Sequence, residues 1–346
     1  MLTLYATLPD ALLVVRGVPG RWQAARQLDG LAAQCVAVDA LQPARVYCGT
    51  FGQGLWSSDD AGDTWQMVSG QFTSQQVRAV AVSRTERQGG YGVVYAGTEP
   101  TALYRSEDGG ATWHALDELP RLPSAPTWSF PPRPYTSHVR ALALDPNAAG
   151  HVAAAIEAGA LVWSRDSGRT WEDRRPDAPR DSHTLAMPIH APGWMYSAAG
   201  DGFLAPGNGF WMSRDGGETW ERPATGLRHH YLWGLAVDPG NADTVLVSAA
   251  TSPDQAHNPN HAESAIYRKT GGGPWRQVQA GLPESKGMLA AALAANEAEP
   301  GVFYAGSNLG LFRSADDGES WQRLAIAWPE RPDAQRVHDL AVTGAE

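Results

Sequence analysis

Cysteine, basic charge and long apolar runs are all scarce in this chain of 346 residues. Its two cysteines, Cys35 and Cys48, are too few for the disulfide framework that staples small secreted domains. Both sit in short apolar runs and are expected as buried thiols. Lys and Arg number 27 against 37 Asp and Glu, a net charge of −10. That balance removes the exposed cationic excess needed for general binding to nucleic acid or an anionic membrane. No stretch approaches the roughly 20 apolar residues of a membrane span. No Lys or Arg precedes the first apolar residues, and Pro9 and Asp10 interrupt them, so no secretory leader is read and a cytoplasmic location is expected.

Turn residues, by contrast, are abundant: 37 glycines and 25 prolines punctuate many short runs in a chain that is 43% hydrophobic. The pattern Ser-x-Asp-x-Gly-x-Thr-Trp is complete four times, at Ser58–Trp65, Ser106–Trp113, Ser164–Trp171 and Ser213–Trp220. A fifth copy keeps Ser314, Asp316, Gly318 and Trp321 with Ser320 for threonine, and a sixth retains only Gly272 and Trp275. One unit shows what surrounds each copy. Val77–Val82 alternates at period two, Val93–Thr98 follows a Gly-rich turn, Ala102–Arg105 leads into the motif and Thr112–Leu116 leaves it. These are four strands, a to d. The motif tryptophans, with Trp22 extending the series backward, lie 43 to 58 residues apart, so the chain holds seven units of about fifty. The first unit begins at strand b, Leu2–Thr7, while a strand a pattern, Val337–Val342, stands at the other end with nothing after it. The expected architecture is an all-β, seven-bladed β-propeller of four-stranded antiparallel blades, a single domain over 1–346. Its ring is closed by the C-terminal strand pairing with the N-terminal blade.

The repeated motif resembles the Asp-box, or BNR repeat, and the chain is similar over nearly its whole length to the Asp-box β-propeller superfamily, within the wider class of WD40- and YVTN-like repeat proteins. The resemblance implies a fold and no particular reaction. Such propellers include sialidases, xyloglucan-active glycosidases, sortilin-like receptor ectodomains and a photosystem II assembly factor. Sialidase activity is not expected, because that branch implies six blades, an Arg-Ile-Pro element, an arginine triad and a Tyr/Glu pair. This chain has seven units, no Arg-Ile-Pro and two arginines at the channel mouth. The motif residues themselves read as mechanical. Asp60, Asp108, Asp166, Asp215 and Asp316 accept the amides of their own turns, glycine supplies positive φ, and tryptophan packs between blades.

Chemistry is expected on the opposite face, where strands a enter the central channel. Aligning them places Gln34, Arg78, Arg140, His183, Trp233, Met288 and His338 at one equivalent position, with Cys35, Ala79, Ala141, Thr184, Gly234 and Asp339 just inside. Seven of the ten histidines (His138, His183, His229, His230, His257, His261 and His338) fall at these entries or on loops of the same face. Two of those loops are long: 117–137, with Trp128, Phe130 and Tyr135, and 252–263, with His257 and His261. A third, 199–209, carries Asp201, and Glu99 and Glu157 end two strands b. The expected ligand is a small polar or anionic molecule, such as a sugar acid, a carboxylate or a phosphorylated metabolite. Arg78 and Arg140 would grip it, with the histidines as partners and Trp233 as a stacking surface. Hydrolase or lyase chemistry stays open, with no catalytic residue or cofactor assigned. A metal reading, two or three histidines with Asp181, Asp201 or Asp339, has only His257-x-x-x-His261 behind it, and no metal is assigned. Two alternatives remain: a glycosidase-like pair of carboxyl groups about 5–9.5 Å apart, or a non-catalytic protein-interaction or assembly platform. A flat, filled mouth fits the platform and an enclosed pocket fits the ligand.

Overall fold

A computed structural model describes residues 1–130, 136–331 and 334–344, and these form seven antiparallel sheets in succession. Tyr135 lies outside the described residues. Strand b of each blade runs through the middle of its sheet and is buried on both faces, as in Val46–Thr50, Val152–Ile156, Met195–Ala199 and Phe303–Ser307. These segments therefore read as near-continuous apolar runs rather than alternating ones. Most outermost strands d are short and exposed, as at Gln66–Met67 and His114–Ala115, and the exposed Arg21–Gln27 is the long exception. In two blades strand d shrinks to a single bridge, Trp163 with Glu172 and Met212 with Glu221.

The ring closes as the sequence implies. Leu340–Thr343 pairs antiparallel with Leu2–Leu8, setting Leu4 opposite Val342 and Ala6 opposite Leu340, and Ala11–Val18 and Arg21–Gln27 complete that blade. The strand starts later than the expected Val337, because the chain enters through an irregular step in which His338 donates to the Thr7 carbonyl and Thr7 donates to that of Asp339.

That step recurs around the ring. The ladder between strands a and b shifts register at Ala33/Cys35, Val77/Ala79, Val139/Ala141, Ser182/Thr184 and Leu232/Leu235. Each shift is a β-bulge, an extra residue that leaves the ladder and re-aims its side chain. The extra residues are Gln34, Arg78, Arg140, His183 and Trp233. Neighbouring blades approach closely at the same level: a Cβ on Gly49 would lie 2.7 Å from Val77, on Gly97 2.5 Å from Val139, and on Gly306 2.9 Å from Val337.

On the far face the boxes work as turns. In the first, the Ser58 hydroxyl donates to Asp60 and accepts the Gly62 amide, and the Thr64 amide and hydroxyl both donate to the Asp60 carboxylate. The box glycines 62, 110, 168, 217 and 318 have φ between 85° and 95°, a region costly for any side chain. The same hydrogen bonds, led by those from Thr64, hold Asp60 well below the ordinary carboxylate range.

Two outcomes follow from closure and from the turns. Val337 and Leu340 are buried, at about 1.5–3 kcal/mol each against a typical net stability of about 5–15 kcal/mol. Deleting residues 337–346 is expected to leave an unfolded or aggregating chain in size-exclusion chromatography, whereas a monomer with unchanged Tm would refute the closure. Asp108→Ala removes the acceptor for the Thr112 amide and hydroxyl. It is expected to cost about 1–2 kcal/mol in denaturant unfolding while leaving binding at the opposite face intact.

Candidate functional site

The bulges fill the channel entrance with long polar and aromatic side chains. Arg78, Arg140, His183, Trp233 and His338 all line a cavity of about 620 Å³ at the mouth and also a smaller one of about 160 Å³ below it. They form the constriction between the two. Beneath them Cys35, Ala79, Ala141, Thr184, Gly234 and Asp339 line the lower cavity, as expected, with Ala292 as the seventh. Met288 is not part of the ring. Ala292 pairs with Gly306 as Ala79 pairs with Gly97, which makes Ala291 the counterpart of Arg78. Met288 is buried elsewhere, and its carbonyl accepts from Ser264. The run Leu289–Leu293 has three alanines between its leucines, so its sequence carries no alternation to fix the register.

Two further tiers surround the ring. Residues two positions before each bulge point the same way, because strand side chains repeat every second residue; these include His138, Asp181, Tyr231 and Arg336. The residues that follow strands b contribute Pro9, Phe51, Glu99 and Glu157. Arg336 and Tyr231 were not anticipated, although the period-two extension of the bulge position would have found both. Of the long loops, one contributes Phe130, edge-on to His138 at 5.0 Å between ring centres. The other holds a short helix, Pro253–His257, where loop was expected, capped by the Ser252 hydroxyl. That helix turns His257 into the cavity.

The remaining candidates do not converge there. His261 is exposed and pairs with Asp254 at 2.7 Å. His229 bonds the Tyr267 hydroxyl at 2.7 Å, and neither it nor half-buried His230 lines the cavity. Asp201 has a supporting role: its carboxylate accepts the Arg180 and Asp181 amides at 3.0 Å each. Asp339 accepts the amides of Val36 and Leu340. Burial raises the pKa of both carboxyls. Cys35 and Cys48 are free, buried thiols, as expected.

Charge in the mouth is dense and interleaved. Arg78 reaches Gln34 at 2.9 Å and Glu99 at 3.7 Å. His138 is hydrogen-bonded to Glu157, whose same oxygen lies 3.6 Å from the Arg140 Nε. Burial opposes the Glu157 charge, but the His138 hydrogen bond and the nearby His183 and Arg140 hold its carboxyl well below the ordinary value. The Trp233 ring has Arg140 4.3 Å and Arg336 5.6 Å from its centre, in cation–π geometry. Burial, reinforced by Arg140, pulls Arg336 down to about 10. No carboxylate of the described residues pairs with it; its partner is the His257 Nδ1, at 2.9 Å.

Hydrogen-bond direction is fixed along one chain of groups. A guanidinium only donates, so His257 Nδ1 accepts from Arg336, and the neutral ring carries its proton on Nε2, donated to the Tyr231 hydroxyl at 2.9 Å. Burial and then Arg336 push the His257 pKa well below its usual value. The Tyr231 proton is left facing His183 Nε2 at 3.5 Å. His183 in turn donates from Nδ1 to the Leu232 carbonyl at 2.6 Å, which fixes its tautomer.

A seven-bladed ring, boxes on one face and a charged cavity on the other define a β-propeller of the BNR/Asp-box type. The BNR/Asp-box repeat model matches residues 211–222, on the fifth blade. No curated protein sequence matches the chain. Among solved structures, an ancestral GH74 enzyme superimposes with a TM-score of 0.66 at 18% identity, over 94% of this chain and 40% of that one. The GH74 enzyme of Niastella koreensis gives 0.66 at 17% identity over 96% and 52%. The chain thus spans about half or less of these two enzymes. YCF48 bound to D1 peptide gives 0.59 at 15% identity over 90% and 92%. At these identities the likeness is one of fold.

The His257 shift has a measurable consequence. A folded pKa below the unfolded value, near 6.5, means stability present in full above about pH 6.5 and lost as pH falls through that value toward the folded one. The wild-type Tm is expected to decline between about pH 7 and 5, and His257→Gln to flatten that decline. An unchanged slope would mean that the imidazole is not held neutral.

Proposed function

We propose that the mouth cavity binds a small anionic molecule that also carries hydroxyl groups, of the sugar-acid or phosphorylated-metabolite kind. The observation that supports this most directly is Arg336, a guanidinium set into the cavity wall with no carboxylate partner among the described residues, next to an Arg140 whose Nε has no hydrogen-bond partner. Two recessed cations beside Trp233 match a planar carboxylate or a phosphate, while the indole itself is covered by Arg140, Arg336, His183 and His257 and so supports the arginines rather than serving as the expected stacking surface. Glu99, Glu157 and Asp181 stand on the same wall as hydroxyl acceptors. An interaction platform would favour a flat, filled mouth, and about 620 Å³ of open cavity favours the ligand instead.

D-glucuronate and inorganic phosphate serve as probes in isothermal titration, after native mass spectrometry of whatever co-purifies. Wild type is expected to bind at least one of the probes, with affinity falling as KCl rises. Arg140→Gln and Arg336→Gln are each expected to weaken binding by about 10- to 150-fold, the loss of one charge-assisted bond of about 1.5–3 kcal/mol, with little change in Tm. Binding that survives both variants, or that ignores salt, would overturn the assignment.

A further inference from the structure

Glu157, Asp181 and His183 come from three different chain positions, the residue after one strand b and two alternate places, two residues apart, at the entry of the next strand a. They present one ligand atom each within 4.8 Å of one another. His183 Nε2 lies 3.7 Å from Glu157 Oε1 and 3.7 Å from Asp181 Oδ1. We propose that these three side chains form a binding site for a divalent transition-metal ion, Mn²⁺ or Zn²⁺, open to the mouth cavity on its remaining side.

Four features of the surroundings favour a cation over a simple ion-paired cluster. First, the His183 Nδ1 proton is committed to the Leu232 carbonyl, which leaves Nε2 as a lone-pair atom that faces both carboxylates and, at a long 3.5 Å, the Tyr231 hydroxyl, whose proton a bound ion would displace. This backbone-anchored tautomer is the usual support of a metal-binding imidazole. Second, Glu157 divides its oxygens: Oε2 takes His138 and faces Arg140, while Oε1 is turned to His183. Third, Asp181 is held at both ends. Its carboxylate accepts the Ala158 amide at 2.8 Å, and its own amide is fixed by Asp201. Fourth, a Cβ at position 200 would lie 2.1 Å from the Asp181 carboxylate and 2.8 Å from His183 Cε1, so Gly200 is what lets the carboxylate and the imidazole approach. Ligand atoms around an ion at about 2.0–2.2 Å stand roughly 3–3.5 Å apart, so the two 3.7 Å separations from His183 require a small contraction, and the carboxylates, within 4.8 Å of each other, close on the ion by side-chain movement.

Donor chemistry narrows the ion. Two carboxylates with one imidazole suit Mn²⁺, Fe²⁺ or Zn²⁺ better than the all-oxygen preference of Mg²⁺ and Ca²⁺. Three protein ligands leave positions for an exogenous one. Charge links this site to the proposed anion site, and this part of the argument rests on that reading. The cavity wall carries Arg78, Arg140 and Arg336 against Glu99, Glu157 and Asp181, a balanced set when the histidines are neutral. A bound divalent ion turns that balance into a net excess of two positive charges, which an anionic ligand then meets.

The test uses the full-length protein after chelation and buffer exchange, titrated calorimetrically with MnCl₂ and ZnCl₂ and checked for metal content by mass spectrometry. Wild type is expected to take up one equivalent of at least one of the ions. Glu157→Gln and Asp181→Asn, which keep side-chain shape and one acceptor oxygen, are expected to weaken uptake by more than the roughly 10- to 100-fold typical of outer-shell partners, in chains whose circular dichroism shows them folded without metal. His261→Ala, which removes the exposed His261–Asp254 pair, is expected to leave the titration unaltered. No stoichiometric uptake by wild type, or uptake abolished by His261→Ala and retained in Glu157→Gln and Asp181→Asn, would overturn the proposal. Glucuronate binding separates the two ideas: if it persists in full after chelation while the metal titration is silent, the metal site fails and the anion site stands. If metal uptake is normal and neither glucuronate nor phosphate binds, the reverse holds.

Discussion

Ring closure is the constraint on which everything else in this protein depends. The blade containing Leu2–Leu8 has no innermost strand of its own, and the segment that supplies it, Leu340–Thr343, is immediately preceded by Arg336 and His338. The strand that seals the ring therefore also brings in the guanidinium that holds His257 and one member of the channel constriction. Ring closure and assembly of the cavity thus share one segment. A chain that failed to close would lose the ladder and the mouth together.

The mouth gathers like charges that would be unstable apart from their neighbours. Burial disfavours the charge of Arg78 and of Arg336, and the neighbouring Arg140 adds to the effect at both. What offsets the repulsion is a set of carboxylates placed between them and two aromatic faces, Phe51 and Trp233. Neutral histidines complete the arrangement, since His257 and His338 are kept uncharged by burial and by the same arginines. Such a cluster costs stability unless every polar atom finds a hydrogen bond, and His138 Nδ1 and Arg140 Nε, which face Glu99 at 3.7 Å and Glu157 at 3.6 Å without one, mark where this one is incomplete.

The architecture was legible because it is written seven times. A motif that satisfies its own amides, flanked by runs of fixed period, fixes blade number, strand order and closure, and each was found as read. The bulge ring was legible at six of seven positions for the same reason, since Val-Arg-Ala-Val and its relatives share a frame. The seventh failed at Ala290–Ala292, where residues of one kind leave the frame open. His229, His230, His261 and Asp201 were expected at the site because they lie on loops of the correct face. A face is wide, and a loop residue can point along it, outward, or down into its own backbone. The convergence of Glu157, Asp181 and His183 was out of reach of sequence, because it joins two blades and turns on rotamers and on the absence of a Cβ at Gly200.

The repeated bulge separates where a side chain goes from which side chain it is. In five blades backbone register alone sends one residue into the channel, while the ladder on either side is held by amides and carbonyls that are indifferent to its identity. Glutamine, arginine, histidine and tryptophan occupy equivalent bulges here with the same backbone consequence. The entrance thus behaves as a row of exchangeable sockets on a fixed frame. Chemistry at such an entrance can be rewritten one blade at a time, and the frame that carries it need not be solved again.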